Sequence, residues 1–206
     1  NIVKGRTNKV KTAKGTQVST VFALLESDEI IASHTSTGAE NPNFPQELQP
    51  RDRSRESSQA WVQKTSNGLD PESLGRSGRA DTGAPIVGDD LVVESGNGRT
   101  MAIQLAYERG QAEEYLQWLI EEAEYFGFSS DQVENFTAPI LVRIRTSEVD
   151  RVQFTVEANQ DDKLSFSATE RARSDAKRLD ENLLALFTPG DDGDLLTASN
   201  QKFILG

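Results

Sequence analysis

The stretch Leu91-Val92-Val93-Glu94-Ser95-Gly96-Asn97-Gly98-Arg99-Thr100-Met101-Ala102-Ile103 decides how the rest of the chain is read. Leu91 to Val93 is a short aliphatic run that predicts a strand. Ser95, Gly96, Asn97 and Gly98 are turn formers. The apolar positions that follow, Ala102, Ile103, Leu105 and Ala106, predict a helix opening on Arg99 and running to about Tyr107. Two glycines permit positive φ and leave no Cβ above the backbone, so the N–H groups of the turn can converge on an anion. The free N–H groups and positive dipole end of the helix favour the same ligand. Arg99 adds a planar, permanently charged fork suited to phosphate oxygens. An ordinary strand-to-helix turn with a surface arginine has the same local sequence, so the turn alone does not choose between the two.

Working outward, Gly88-Asp89-Asp90 predicts a hairpin turn between Pro85-Ile86-Val87 and the strand at Leu91. Val21 to Leu25 and Ala138 to Ile144 are further strands. The expected fold class is α/β in the α+β sense, with Pro85–Val87, Leu91–Val93 and Ile140–Ile144 in one small mixed sheet flanked by helices. A helix is expected from about Glu56 to Thr65, stopped in a left-handed turn at Asn67-Gly68. The apolar face Tyr115, Leu116, Leu119, Ile120, Ala123 and Phe126 predicts another, ended by Gly127. Ser33 to Gln49 reads as a loop because of Pro42 and Pro45. Residues 147–160 read both ways: Ser147 with Asp150 resembles a helix start, while Val152, Phe154 and Val156 alternate like a strand.

The domain expectation is a flexible basic lead-in over 1–17, one domain over 18–187, and a C-terminal extension over 188–206 cut from a longer protein. Within the second of these, Ser167 with Glu170 predicts a capped helix reaching about Phe187, followed by a turn at Pro189 to Gly193. With 206 residues and 35% apolar content, the chain can build one real core. It contains no cysteine, which removes disulfides, thiolate metal sites and cysteine nucleophiles. No run approaches the roughly 18 apolar residues that span a bilayer, so a soluble, cytoplasmic protein is expected. A net charge of −11 opposes non-specific attraction to nucleic acid, although Lys4 to Lys14 and Arg51, Arg53 and Arg55 form basic clusters.

In this order the pieces resemble the ParB/sulfiredoxin superfamily, most closely its DdrB-like ParB branch found in large phage and plasmid polyvalent proteins. Leu48-Gln49-Pro50-Arg51 resembles the family's entry segment and Gly83-Ala84-Pro85-Ile86-Val87 its "Q-P-I-V-V" strand. Ser95 to Ala102 matches its "G-x-x-R-x-x-A" box. Asn159 followed by Ser167 to Ala172 is similar to the third box, so the likeness spans roughly Val18 to Leu179. The resemblance implies a nucleotide-binding fold, with CTP or ATP held by Arg51, Pro85, Ile86, Val87, Ser95, Gly96, Asn97, Gly98, Arg99 and Thr100. It also brings in Mg²⁺ at Glu157 and Asn159, although the family has that pair adjacent and here Ala158 separates them. Sulfinic-acid repair is excluded, because the cysteine it needs is missing.

Among the other candidates, Glu94 is placed ahead of the turn, where a carboxylate could activate water beside Arg99. Glu157 and Asn159 share a face if extended, and diverge by about 200° if helical. His34, the single histidine, falls in a loop. The resulting expectation is a nucleoside-triphosphate-binding domain, at most a slow triphosphatase, inside a phage or plasmid DNA-maintenance or anti-restriction protein. Its expected partners are a nucleotide, DNA through the full-length protein, and a second copy of the chain, with no membrane. The alternatives are a nuclease on the same fold, with Arg51 and Arg53 holding substrate, and a non-catalytic DNA-associated scaffold.

Overall fold

The structure, a computed structural model, describes residues 1–48 and 55–159, with side chains from residue 58 onward in the second stretch. Arg51 and Arg53, the side chain of Arg55, the Ser167 capping box and the 188–206 extension lie outside the described residues.

Among the described residues five strands form one sheet: β1 (Val3–Lys11), β2 (Gln17–Glu26), β3 (Ile86–Val87), β4 (Val93–Ser95) and β5 (Pro139–Arg145). Their order is β1-β2-β5-β3-β4. Neighbours pair antiparallel except β3 with β5, which is parallel, so the sheet is mixed and the fold is α+β. All three expected strands share it, but the return strand lies at Val93–Ser95 rather than Leu91–Val93. Leu91 takes a positive φ of 67° in the hairpin turn, and Ser95, expected in the next turn, pairs with Ile86. The β2–β5 register sets Val21, Ala23 and Leu25 opposite Ile144, Val142 and Ile140 on one face, and Phe22 and Leu24 opposite Arg143 and Leu141 on the other. Both faces are covered, which is why β2 reads as a continuous apolar run rather than an alternating one.

The helices are α1 (Arg55–Ser66), α2 (Asn97–Glu108), α3 (Glu113–Glu121), α4 (Ala123–Phe126) and α5 (Ser130–Glu134), and a further helical stretch, α6, over residues 151–159. Ala102, Ile103, Leu105 and Ala106 of α2 join Tyr115, Leu119, Ala123 and Phe126 in the main core. Phe126 meets Phe22 edge to face at 4.8 Å between ring centroids. Gly127 ends α4 as expected, and does so in the left-handed conformation at φ 95°. A smaller core joins Val10, Val18, Ala80 and Ile86 to Phe154 and Ala158 of α6.

Two further expectations need correction, and one stretch that read both ways is decided. Residues 3–11 are not a flexible lead-in but an edge strand, paired along its length with β2 through a bulge between Lys4 and Thr7. Its alternation is carried by cations rather than by apolar residues, a common way to keep an edge from recruiting other chains. Residues 151–159 are helical, because Phe154 and Ala158 are buried four apart while Val152 and Val156 face water. Neither Asn67 nor Gly68 takes positive φ, so α1 ends in tight turns from Asn67 and Gly68 N–H back to Lys64 and Thr65 carbonyls. No helix among the described residues is long and apolar enough to cross a membrane.

Candidate functional site

The hairpin forms as its sequence requires. The Gly88 N–H donates to the Val92 carbonyl at 3.0 Å and the Leu91 N–H to the Gly88 carbonyl at 2.9 Å. The return strand β4 then delivers the chain to Gly96, whose φ of 103° only glycine adopts without strain. Helix α2 therefore opens on Asn97, two residues before the expected Arg99. Gly98 lies inside its first turn with ordinary helical φ, so the second glycine serves another purpose. A Cβ placed there would stand 3.1 Å from the Trp61 ring of α1. The glycine lets the indole lie against the helix.

No side chain caps the N-terminus of α2. The first intrahelical bond runs from Thr100 N–H to Gly96 carbonyl at 2.9 Å. Asn97, Gly98 and Arg99 supply the N–H groups ahead of it, at the positive end of the dipole. Arg99 folds back over Gly96, within 3.0 Å of where a Cβ would stand. Its Nη1 donates to the Gly83 carbonyl and its Nη2 to Ser95 Oγ. Asn97 is turned sideways, its Oδ1 accepting the Ser33 N–H at 2.7 Å. Thr100 is fully buried and its hydroxyl has no partner among the described residues. The Cα–Cβ bond of a helical residue tilts toward the helix N-terminus, so the Thr100 side chain leaves the backbone on that side.

Ser95 is also buried, its hydroxyl donating to the Ala80 carbonyl at 2.7 Å. Pro85, Ile86 and Val87 are buried in the sheet. These four residues build the wall that the turn stands on. The wall owes its shape to Arg143, which by its sequence is only one more residue of a strand. Its Nε donates to the Ala84 carbonyl at 2.8 Å, its Nη1 to the Ser77 and Arg79 carbonyls at 3.0 Å each, and its Nη2 to the Thr82 carbonyl. One guanidinium thus organises the loop from 77 to 84 around itself. Burial, helped by the neighbouring Arg99 charge, pulls it down to about 9. It stays charged at neutral pH. A lone cation inside Ile140-Leu141-Val142-Arg143-Ile144 was the signal available in the sequence.

Glu94 faces the other way from the turn. Its carboxylate takes Arg145 Nε and Nη2 at 2.8 Å each and Arg151 Nε at 2.9 Å, and Arg151 also grips Asp90 at 2.7 and 2.9 Å. The carboxylate is completely buried. It ties β4 to β5 and to the start of α6. Glu157 and Asn159 do not converge on an ion. Glu157 accepts from Thr12, Thr16 and Gln153. Asn159 Nδ2 donates to the Glu94 and Thr155 carbonyls. Their helical spacing turns them about 200° apart, so the residues expected to hold Mg²⁺ do not form a site for it. No group of three or more His, Asp or Glu suited to a metal occurs among the described residues. His34 pairs its Nδ1 with Ser33 Oγ at 2.9 Å. It lines a cleft of about 400 Å³ with Ser27, Ala32, Ser36, Gln104 and Glu108, further along α2.

With this geometry the box Gly96-x-x-Arg99-x-x-Ala102 has a strand before it, a left-handed glycine at the turn and a helix after it. Residues 13–146 match the ddrB-like ParB superfamily domain. The chain belongs to this family. The matched stretch of the ParB domain takes in β2 through β5 and the whole turn. It stops before Glu157, Asn159 and Ser167, so the third box, the least regular part of the resemblance, lies beyond it. No curated protein and no solved structure is significantly similar to the chain.

Proposed function

We propose that this ParB domain binds a nucleoside triphosphate, CTP or ATP, with the phosphates seated on the N-terminus of α2. The observation that carries the reading is the uncapped helix start behind a left-handed Gly96, with Arg99 laid across it. Backbone N–H groups at a helix start and a guanidinium fork are what a polyphosphate requires. The ligand would exchange one neutral acceptor of Arg99 for an anionic phosphate oxygen. Arg143, charged and buried nearby, adds to the positive field at this end of the sheet.

Binding comes before hydrolysis in this reading. Both Glu94 oxygens are engaged by guanidinium groups, so the carboxylate holds the sheet together rather than activating water, and any turnover would be slow. The domain would act in a phage or plasmid DNA-maintenance or anti-restriction protein as a nucleotide-responsive module. Titration calorimetry with CTP, ATP and GTP, with and without Mg²⁺, is the direct test. Saturable binding of one of them, weakened by Arg99→Ala in a protein that keeps its circular dichroism, is the expected result. No heat with any triphosphate would return the turn to a purely structural role.

A further inference from the structure

We infer that Trp61 is the platform on which the base of the bound nucleotide stacks, a subsite that rests on the triphosphate reading above. Trp61 is 47% exposed although α1 packs directly against α2. Its benzo ring atoms Cζ3, Cε3 and Cη2 stand 3.1, 3.5 and 3.8 Å from where a Gly98 Cβ would be. The indole is therefore anchored by one edge at the second residue of the helix while much of its surface remains open to solvent. A flat ligand laid on the open part of the ring would add favourable apolar burial.

The position favours a base over other occupants. The ring stands beside the N–H groups that would hold the phosphates, and a nucleotide seated on them carries its sugar and base away from that point. Every base has a π-face, so one indole accepts pyrimidine or purine alike, and stacking contributes affinity without choosing between them. Gly98 then has a definite task. An alanine there would shift the ring by a few tenths of an ångström, and a larger side chain would displace it further. The other tryptophan, Trp118, is committed elsewhere: it stacks on Tyr115, meets Phe126 edge to face and donates Nε1 to Glu72.

The test separates base from phosphate by titrating the full chain with CTP, ATP and inorganic tripolyphosphate. Trp61→Ala should weaken CTP or ATP binding about ten-fold or more, the scale of lost base stacking, and leave tripolyphosphate binding unchanged. Trp61→Phe should restore most of the loss. In a Trp118→Phe background, shown folded by circular dichroism, Trp61 emission should be quenched by the nucleotide and hardly altered by tripolyphosphate. If Trp61→Ala binds nucleotide as tightly as the parent while tripolyphosphate still binds, the base platform is wrong and the phosphate seat stands. If neither nucleotide nor tripolyphosphate binds the folded parent protein, both readings fall. The calorimetric arm uses the native Trp118 and so does not depend on the reporter variant.

Discussion

Arg99 serves two purposes, and its substitution should separate them. Through Nη1 and Nη2 it holds the Gly83 carbonyl and Ser95 hydroxyl, and under the proposed function it also meets phosphate. Arg99→Ala should therefore weaken triphosphate binding by about 1.5–3 kcal/mol, the scale of a charge-assisted hydrogen bond, with a smaller drop in melting temperature and no loss of fold. Arg99→Lys should recover part of the binding, since an ammonium keeps the charge but loses the planar fork. Calorimetry beside thermal denaturation reads the two effects apart. Gly96 is a purely conformational case. At φ 103°, with Arg99 nitrogen 3.0 Å from the missing Cβ, Gly96→Ala should cost about 1–3 kcal/mol in urea denaturation. Gly98→Ala is free of that backbone strain and should act mainly by shifting Trp61.

The two glycines also mark how far the sequence could be read. The strand, the turn, the helix and the family box were all legible from local residue types. Which glycine takes positive φ was not, nor that Gly98 is the one α1 approaches with Trp61, 37 residues away. Arg143 belongs with it. A cation amid aliphatic residues is conspicuous, but four carbonyls from a separate loop are needed to show what it does. Glu94 was read by its nearness in sequence to the turn. A strand sends neighbouring side chains to opposite faces, and the bulge where β4 pairs with β3 sets its carboxylate among Arg145 and Arg151 instead.

At the scale of elements, the loop from 77 to 84 is held to β5 by one side chain. Arg143→Met should leave the Ser77, Arg79, Thr82 and Ala84 carbonyls short of donors inside the protein, at a cost of about 3–5 kcal/mol. Faster amide exchange should be confined first to this loop and the start of α2. The β4–α6 junction predicts an acid response. The Arg151 guanidinium holds the Asp90 carboxyl below its ordinary value. A carboxyl depressed in the folded state stabilises above its unfolded value of about 3.9, and that stabilisation is lost as pH falls through the folded one. The melting temperature should decline as pH drops below about 4. Asp90→Asn should flatten that decline while lowering stability at neutral pH, which a pair of pH-melting curves would reveal.

The types of two elements were not legible in the sequence for the same physical reason. β1 looks like a linker because its residues are polar and basic, and only the ladder to β2 makes it a strand. Helix α6 looked half extended because Val152, Phe154 and Val156 are spaced by two, yet only Phe154 of the three is buried. In both places tertiary packing overrode the local pattern.

At the scale of the molecule, charge is divided unevenly. The basic residues of β1 line one edge of the sheet in a chain of net charge −11. Duplex DNA should bind weakly or not at all at physiological salt, because few counterions would be released. Tight, salt-sensitive retardation in a gel-shift assay would show instead that the basic edge outweighs the total.

Strand β5 is the last described strand in the chain and the central one in the sheet. A ribosome that has delivered only residues 1–138 has therefore released two separate ribbons, β1-β2 and β3-β4, whose facing edges are the aliphatic β2 and β3 rather than the cationic β1. The growing protein carries its most adhesive edges until β5 emerges, and must be shielded for that interval. A premature stop or a proteolytic cut ahead of Pro139 should consequently yield sedimenting aggregate and not a smaller working domain, whatever the state of the turn at Gly96.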